Sequence, residues 1–161
     1  MANLLYLVHR MPYPPDKGDK VRSYHLLRHL AERHRVFLGT FADDPADLRH
    51  LGVLRQWCAG LHVVPMNPRA ARLRSLVGLA TGEPLSVRAW RDAGMRRWVR
   101  DTVAREGIAA GVVYSSAVAQ YADELGGRPL IVDFVDVDSA KWSAYAERHA
   151  WPLRWLYRRE G

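Results

Sequence analysis

The sequence predicts a doubly wound α/β domain built on a mainly parallel sheet of about five strands. Short apolar runs alternate with segments of helical periodicity along the 161 residues, and parallel strands require such helical crossovers. The apolar runs are nearly continuous, which is typical of strands covered on both faces. The length and a hydrophobic content of 48% suffice for one domain with a packed core.

Five apolar segments are predicted to be strands: 4–9, 36–41, 61–64, 108–114 and 130–135. A turn-rich loop follows the first strand, and a helix is expected from about Lys20 with Asp19 as its N-cap. Asp44 and Pro45 are expected to cap and open the helix after the second strand.

Two helices separated by residues 81–84 are predicted between the third and fourth strands, and the second of them ends at Gly107. Ser115 or Ser116 is expected to cap the next helix, which Gly126 ends. Residues 151–161 are amphipathic and aromatic. We therefore expect 1–150 to be the domain and 151–161 to begin a helix toward a further domain.

Composition and charge restrict the class of protein. The single cysteine, Cys58, excludes a disulfide framework and a cysteine-based zinc cluster. No apolar run could span a bilayer and no signal peptide is visible, so a cytoplasmic location is expected. The histidines form no metal signature, and we expect no bound metal and no resident cofactor.

The net charge of +7 predicts an anionic partner. Eight arginines and only two acidic residues lie between positions 69 and 100. Within that stretch Arg69, Arg72 and Arg74 are candidates for an anion or membrane patch, because arginine suits phosphate groups. The alternative is a helix surface that simply faces water.

Ligands of open α/β sheets bind beyond the carboxyl ends of the strands, near the reversal of strand order. The loop after the first strand reaches this edge, and Gly18, Lys20, Arg22 and His9 are its candidate phosphate- or substrate-binding residues. The alternative for Gly18 is a tight turn. No dinucleotide fingerprint or P-loop follows the strand, which disfavours nicotinamide enzymes and P-loop nucleotidases.

Two further segments are predicted to reach the same edge. Tyr114 and Ser115 end the fourth strand, where the hydroxyl of Ser115 either caps a helix or contacts a ligand. The last strand leads into further candidates for sugar hydroxyls or general base chemistry, namely Asp133, Asp136, Asp138 and Ser139. Asp136 is the candidate catalytic residue. The structural alternatives are that Asp133 pairs with an arginine and that Asp138 caps a helix.

The loop Pro12-x-Pro14-Pro-Asp-Lys-Gly18-Asp-Lys-Val-Arg22 together with Gly39-Thr40 resembles the opening of retaining glycosyltransferases of family GT4, in the GT-B superfamily. With the segments 130–142 and 151–160, the sequence most resembles the sugar transferases of PEP-CTERM/exosortase exopolysaccharide systems. The likeness covers essentially the whole chain, but only the amino-terminal half of such an enzyme.

This resemblance implies two Rossmann-like domains that face each other across a cleft. The first holds mainly the acceptor, and the second, with the family's E-x7-E motif, holds mainly the nucleotide-sugar. Gly18 would approach the donor phosphates and Asp136 would border the reacting sugar, without a metal. Many members carry a His-Asp pair where this chain has Val135-Asp136, so the role of that histidine does not transfer.

The expected function is therefore the acceptor-side domain of a nucleotide-sugar-dependent glycosyltransferase for exopolysaccharide or cell-surface glycan, inactive alone. Its expected partners are the nucleotide-sugar, which is a co-substrate, and a glycan or lipid-linked acceptor. An anionic membrane surface, at the inner face of the cytoplasmic membrane, is a further expected partner. The alternative is a basic α/β module that binds anionic lipid or nucleic acid, although no nucleic-acid-binding motif occurs and no nucleic acid is expected.

Overall fold

The computed structural model describes residues 1–67, 70–71, 83–135, 145–152, 154–155 and 158. Five parallel strands form one sheet with the order β3-β2-β1-β4-β5, which confirms the predicted α/β, Rossmann-like architecture. The strands are β1 (Asn3–Val8), β2 (Arg35–Ala42), β3 (Gly60–Pro65), β4 (Ala110–Tyr114) and β5 (Leu130–Asp133). Each ends within two residues of its predicted bounds.

Helical segments separate the strands. Among the residues that the structure describes between β1 and β5, the α-helices include α1 (Gly18–Ala31), α2 (Leu51–Trp57), α3 (Leu85–Ala89) and α4 (Ala93–Arg105), and 3-10 helices span Pro45–His50 and Ser116–Leu125. Among the described residues, no helix is long and apolar enough to cross a membrane.

The start of α1 differs from the prediction. The helix begins at Gly18 instead of about Lys20, and the residue before it, Lys17, is extended and makes no side-chain cap. Asp19 lies inside the first turn, so its prediction as N-cap is wrong. Its carboxylate is instead used in ion pairs with residues of the β1–α1 loop.

Other helix boundaries follow the predicted caps. The Asp44 side chain accepts a hydrogen bond from the Ala46 N–H (2.9 Å), but the helix it caps is a 3-10 turn that continues into α2. The Ser115 hydroxyl caps the helix after β4, and Gly126 ends it in the left-handed region (φ 59°). That helix is 3-10 rather than α over its ten residues.

Two hydrophobic cores cover the two faces of the sheet. Helices α1 and α2 pack on one face through Leu27 and Leu54, and α4 and the 3-10 helix after β4 pack on the other through Val99 and Tyr121. The chain runs from β1 to β3 in one direction and then returns to β4 on the other side of β1. The strand order therefore reverses between β1 and β4, which places a crevice at their carboxyl ends.

Candidate functional site

The carboxyl ends of β1, β4 and β5 bring four predicted site residues to one edge. His9 follows β1 and its ring stacks on Tyr114 at the end of β4, with centroids 6.1 Å apart and an interplanar angle of 14°. The Ser115 N–H donates a 2.8 Å hydrogen bond to the backbone oxygen of Asp133, the last residue of β5. Parallel pairing alone produces this juxtaposition, because parallel strands end at the same edge.

Helix α1 joins this edge through Arg22. Its Nη2 lies 2.7 Å from Asp133 Oδ2, and its guanidinium lies 6.0 Å from the centroid of the Tyr114 ring. Pairing of Asp133 with an arginine is therefore confirmed. The Arg22 side chain is 59% exposed, so the guanidinium retains donors that face solvent.

Lys20 does not present its ammonium to this edge. Its side chain is 1% exposed, and Nζ lies 2.6 Å from Asp47 Oδ2, with Asp16 Oδ1 at 3.4 Å. Burial by itself would lower the pKa of Lys20, but the hydrogen bond and charge of Asp47 outweigh burial and raise it. We correct the prediction accordingly: a buried, paired ammonium is not available to a phosphate, and Lys20 ties α1 to the 3-10 helix after β2.

Gly18 is exposed at the first position of α1. A Cβ atom added there would meet no atom within 4 Å, and the backbone is not in the left-handed region. The turn itself therefore does not require glycine. The open surroundings leave this position accessible to an external group.

A second set of charged residues, which we call the Arg10 cluster, consists of His9, Arg10, Asp19 and Asp43. Arg10 Nη1 lies 3.0 Å from Asp19 Oδ2, and Arg10 Nε lies 3.0 Å from Asp43 Oδ2. His9 Nε2 lies 3.5 Å from the same oxygen of Asp19. One guanidinium thus connects the ends of β1 and β2 to the first turn of α1.

Two pKa values in the Arg10 cluster are shifted. Burial, followed by the positive charge of Arg10, lowers the pKa of His9, which favours the neutral imidazole. Burial by itself would raise the pKa of Asp19, but its hydrogen bond with Arg10 and the charge of Arg10 lower it. The cluster therefore holds an ionised carboxylate beside a neutral histidine.

Sequence reasoning missed Arg10 and Asp43 as members of the edge. Both follow predicted strands directly or within two residues, and a search for charged residues at every strand end would have found them. Trp90, also missed, lies between α3 and α4 with its ring 5.5 Å from that of His9. The hydrophobic periodicity of the sequence does not predict the position of Trp90, because that position depends on a hydrogen bond of 2.5 Å that the Tyr121 hydroxyl donates to the Trp90 backbone oxygen.

Strained backbone is concentrated at the same edge. Ser115 (φ 89°) and Val135 (φ 68°) are the non-glycine residues with positive φ in the described part of the chain. They follow the neighbouring strands β4 and β5, and such conformations cost about 1–3 kcal/mol each. Strain of this kind is typical of ligand-binding edges.

Several predicted residues lie outside the described residues. These are Asp136, Asp138 and Ser139 after β5, and the arginines Arg69, Arg72 and Arg74. Within the described ranges, no group of three His, Cys, Asp or Glu side chains could hold a metal ion. Burial raises the pKa of Cys58 to about 12, which disfavours a nucleophilic role for its thiol.

The described arginines of the predicted arginine-rich stretch include both paired and unpaired residues. Glu83 binds both Arg88 and Arg91, the latter at 2.8 Å. By contrast, Arg97 and Arg100 on α4 are exposed and form no ion pair with a described residue.

The chain was compared with protein families, curated proteins and solved structures. No protein-family model, curated protein or solved structure matches the chain.

Proposed function

We propose that this chain is the amino-terminal, acceptor-side domain of a retaining nucleotide-sugar-dependent glycosyltransferase that acts in exopolysaccharide or cell-surface glycan synthesis. The observation that carries the proposal is the 2.7 Å ion pair between Arg22 and Asp133. It joins the segment after the first strand to the end of the fifth, the two segments that the resemblance assigns to the cleft.

The chemistry of this edge suits the transfer of a sugar from a nucleoside diphosphate. In that reaction the bond from the anomeric carbon to the diphosphate breaks, and a bond to an acceptor hydroxyl forms. Positive charge fixed beside the leaving diphosphate stabilises the transition state. Arg22 supplies such a charge, because Asp133 and the Tyr114 ring orient a guanidinium that remains 59% exposed.

The roles of the remaining site residues follow from their positions. Gly18 lies one turn before Arg22 on α1, where a phosphate could approach the exposed helix start. Tyr114 ends β4 and Ser115 follows it, and β4 pairs with both β1 and β5. Asp136 remains the predicted residue beside the reacting sugar, and the nucleotide is expected to be held mainly by a second domain.

The test is an assay of the complete gene product against a panel of nucleotide-sugars. Transfer or donor hydrolysis is expected with at least one donor, while residues 1–161 alone are expected to be inactive. Arg22→Gln should lower kcat/KM about 10-fold or more, the loss expected for one charged hydrogen-bonding group. Arg33→Gln, at an exposed arginine beyond the end of α1, is the matched control. Appreciable turnover by residues 1–161 alone, or no donor bound by the complete protein, would refute the proposal.

A basic module for anionic lipid or nucleic acid is the second candidate function. The exposed arginines of α4, which are Arg97, Arg100 and Arg105, favour it. It predicts binding to acidic vesicles or short duplexes that weakens steeply as salt rises. Titration of the protein with each probe at two ionic strengths tests this function. Binding that does not depend on salt, or no binding to either probe, would refute it.

A further inference from the structure

The Arg10 cluster is not used by the phosphate chemistry assigned to Arg22. It contains two carboxylates and one guanidinium, with a histidine whose environment favours the neutral form. With each aspartate counted as −1, Arg10 as +1 and His9 as neutral, its formal charge is −1. An anionic ligand placed against it would be repelled, and the repulsion grows as water is removed.

The cluster also has the polar groups that recognise hydroxyls. Asp19, Asp43 and Arg10 keep 23%, 14% and 37% of their side chains exposed. Asp43 Oδ1 is buried and accepts no hydrogen bond within the described residues, so it is satisfied only if a donor from outside these residues reaches it. Carboxylates accept strong hydrogen bonds from neighbouring hydroxyl groups, and a guanidinium donates to hydroxyl oxygens.

An aromatic surface adjoins these polar groups. The half-buried Trp90 ring contacts His9 edge-on at 5.5 Å and Phe41 at 5.4 Å. Phe41 lies two residues before Asp43, so the indole and the carboxylates belong to one region. Large rings with a few fixed polar groups are typical of small-ligand sites. A sugar ring, with one apolar face and hydroxyls at its rim, matches that combination.

We propose that the Arg10 cluster and Trp90 form a subsite for an uncharged hexose ring and discriminate against acidic sugars. The proposal rests on the proposed function, since it takes the bound hexose to be the terminal sugar of the acceptor. Asp19 and Asp43 are its specificity-determining residues, and His9 and Arg10 position them.

The relation to Arg22 supports this division of roles. Asp19 and Arg22 are three residues apart on α1, so they are neighbours on the helix surface with Cβ atoms about 5–6 Å apart. Asp19 pairs with Arg10, whereas Arg22 pairs with Asp133. A hexose at the first and a diphosphate at the second would therefore lie side by side, which a retaining transfer on one face of the donor sugar requires.

The experiment uses the 161-residue chain labelled with ¹⁵N and pairs of methyl glycosides. Each pair is a methyl hexopyranoside and the matching methyl hexuronide, in the gluco, galacto and manno series, so that its members differ only in a carboxylate at C6. The readout is the indole N–H resonance of Trp90, identified with Trp90→Phe. For at least one series, the hexoside is expected to bind at least about 10-fold more tightly than its uronide.

Variants separate this subsite from a general surface effect. Asp43→Asn should weaken binding of the hexoside about 10-fold, because a charged hydrogen bond is lost, and should reduce the preference over the uronide. Asp19→Asn is the second variant, used if Asp43→Asn fails to give a folded amide spectrum. Asp123→Asn, at an exposed aspartate on the 3-10 helix after β4, should change neither affinity.

Three results would overturn the inference: a uronide that binds as tightly as its hexoside, no hexoside that shifts the Trp90 resonance, or unchanged selectivity in both variants. Failure of the proposed function is seen separately, as the absence of donor binding by the complete protein. A hexoside preference that persists after that failure would show a sugar site without transferase activity.

Discussion

Replacing Lys20 with methionine tests how the loop before α1 is held. The variant keeps most of the aliphatic chain and removes an ammonium that lies 2.6 Å from Asp47 Oδ2, in a pair whose side chains are only 1% and 5% exposed. The carboxylate of Asp47 would then be buried without its partner, which costs about 3–5 kcal/mol. The contact with Asp16 adds little, because that side chain is 52% exposed.

The free energy of unfolding, measured by urea denaturation, gives the magnitude. Lys20→Met should lose about 3–5 kcal/mol, whereas Lys17→Met, at an exposed lysine, should change stability little. The double variant Lys20→Met/Asp47→Leu should recover most of the loss, since removing both charges of a buried pair is often close to neutral. A loss below about 1 kcal/mol, the range of surface pairs, would refute the assignment of Lys20 to a buried pair.

The pH dependence of the same variant has a defined sign. Burial by itself would lower the pKa of Lys20, but the hydrogen bond and charge of Asp47 outweigh burial and raise it. The stability that the Lys20 ammonium contributes is therefore present below its unfolded pKa of about 10.4 and is lost as pH rises through the higher folded-state pKa. The stability deficit of the variant should be full near neutral pH and should shrink above about pH 10.4, and a deficit that grows at alkaline pH would contradict this explanation.

Two further perturbations test the packing around the sheet. Burial lowers the pKa of His62, whose ring stacks on Trp98 at 5.3 Å. The stability that the neutral ring contributes is present above about pH 6.5 and is lost as pH falls below that value. The free energy of unfolding in urea should therefore fall less steeply on acidification in His62→Phe than in the unmodified protein, and an equal fall would contradict this. At Gly39, an added Cβ would lie 2.9 Å from side chains of the core, so Gly39→Ala should cost about 1–3 kcal/mol. Gly52→Ala, in a helix with open space around the position, should instead gain about 0.5–1 kcal/mol, and equal effects at both glycines in thermal or urea unfolding would refute the packing interpretation.

Local sequence patterns predicted a large part of the candidate site. His9, Tyr114 and Asp133 could be placed at one edge because each ends or follows an apolar run, and parallel strands share their direction. The caps at Asp44 and Ser115 were predictable for a similar reason, since a cap depends on residues two or three positions away.

Prediction failed where a side chain takes its partner from a distant segment. Lys20 has the pattern of an exposed residue in a first helical turn, and its burial depends on Asp47, 27 residues further along the chain. Arg10 has two partners on other elements, and Trp90 is held by the Tyr121 hydroxyl, 31 residues away. Such contacts leave no periodic trace in the sequence.

The sequence by itself determined the class of fold, the order of its elements and the edge at which they expose polar groups, because these depend on periodicity, chain direction and local hydrogen bonds. Only the tertiary structure decided which charges remain exposed at that edge. Arg22 remains exposed although it pairs with Asp133, and Lys20 is buried in its pair with Asp47. Arg10 forms ion pairs with two carboxylates, those of Asp19 and Asp43. That choice depends on which helix packs beside which strand end, and a charge is neutralised or left available according to the neighbour that packing provides.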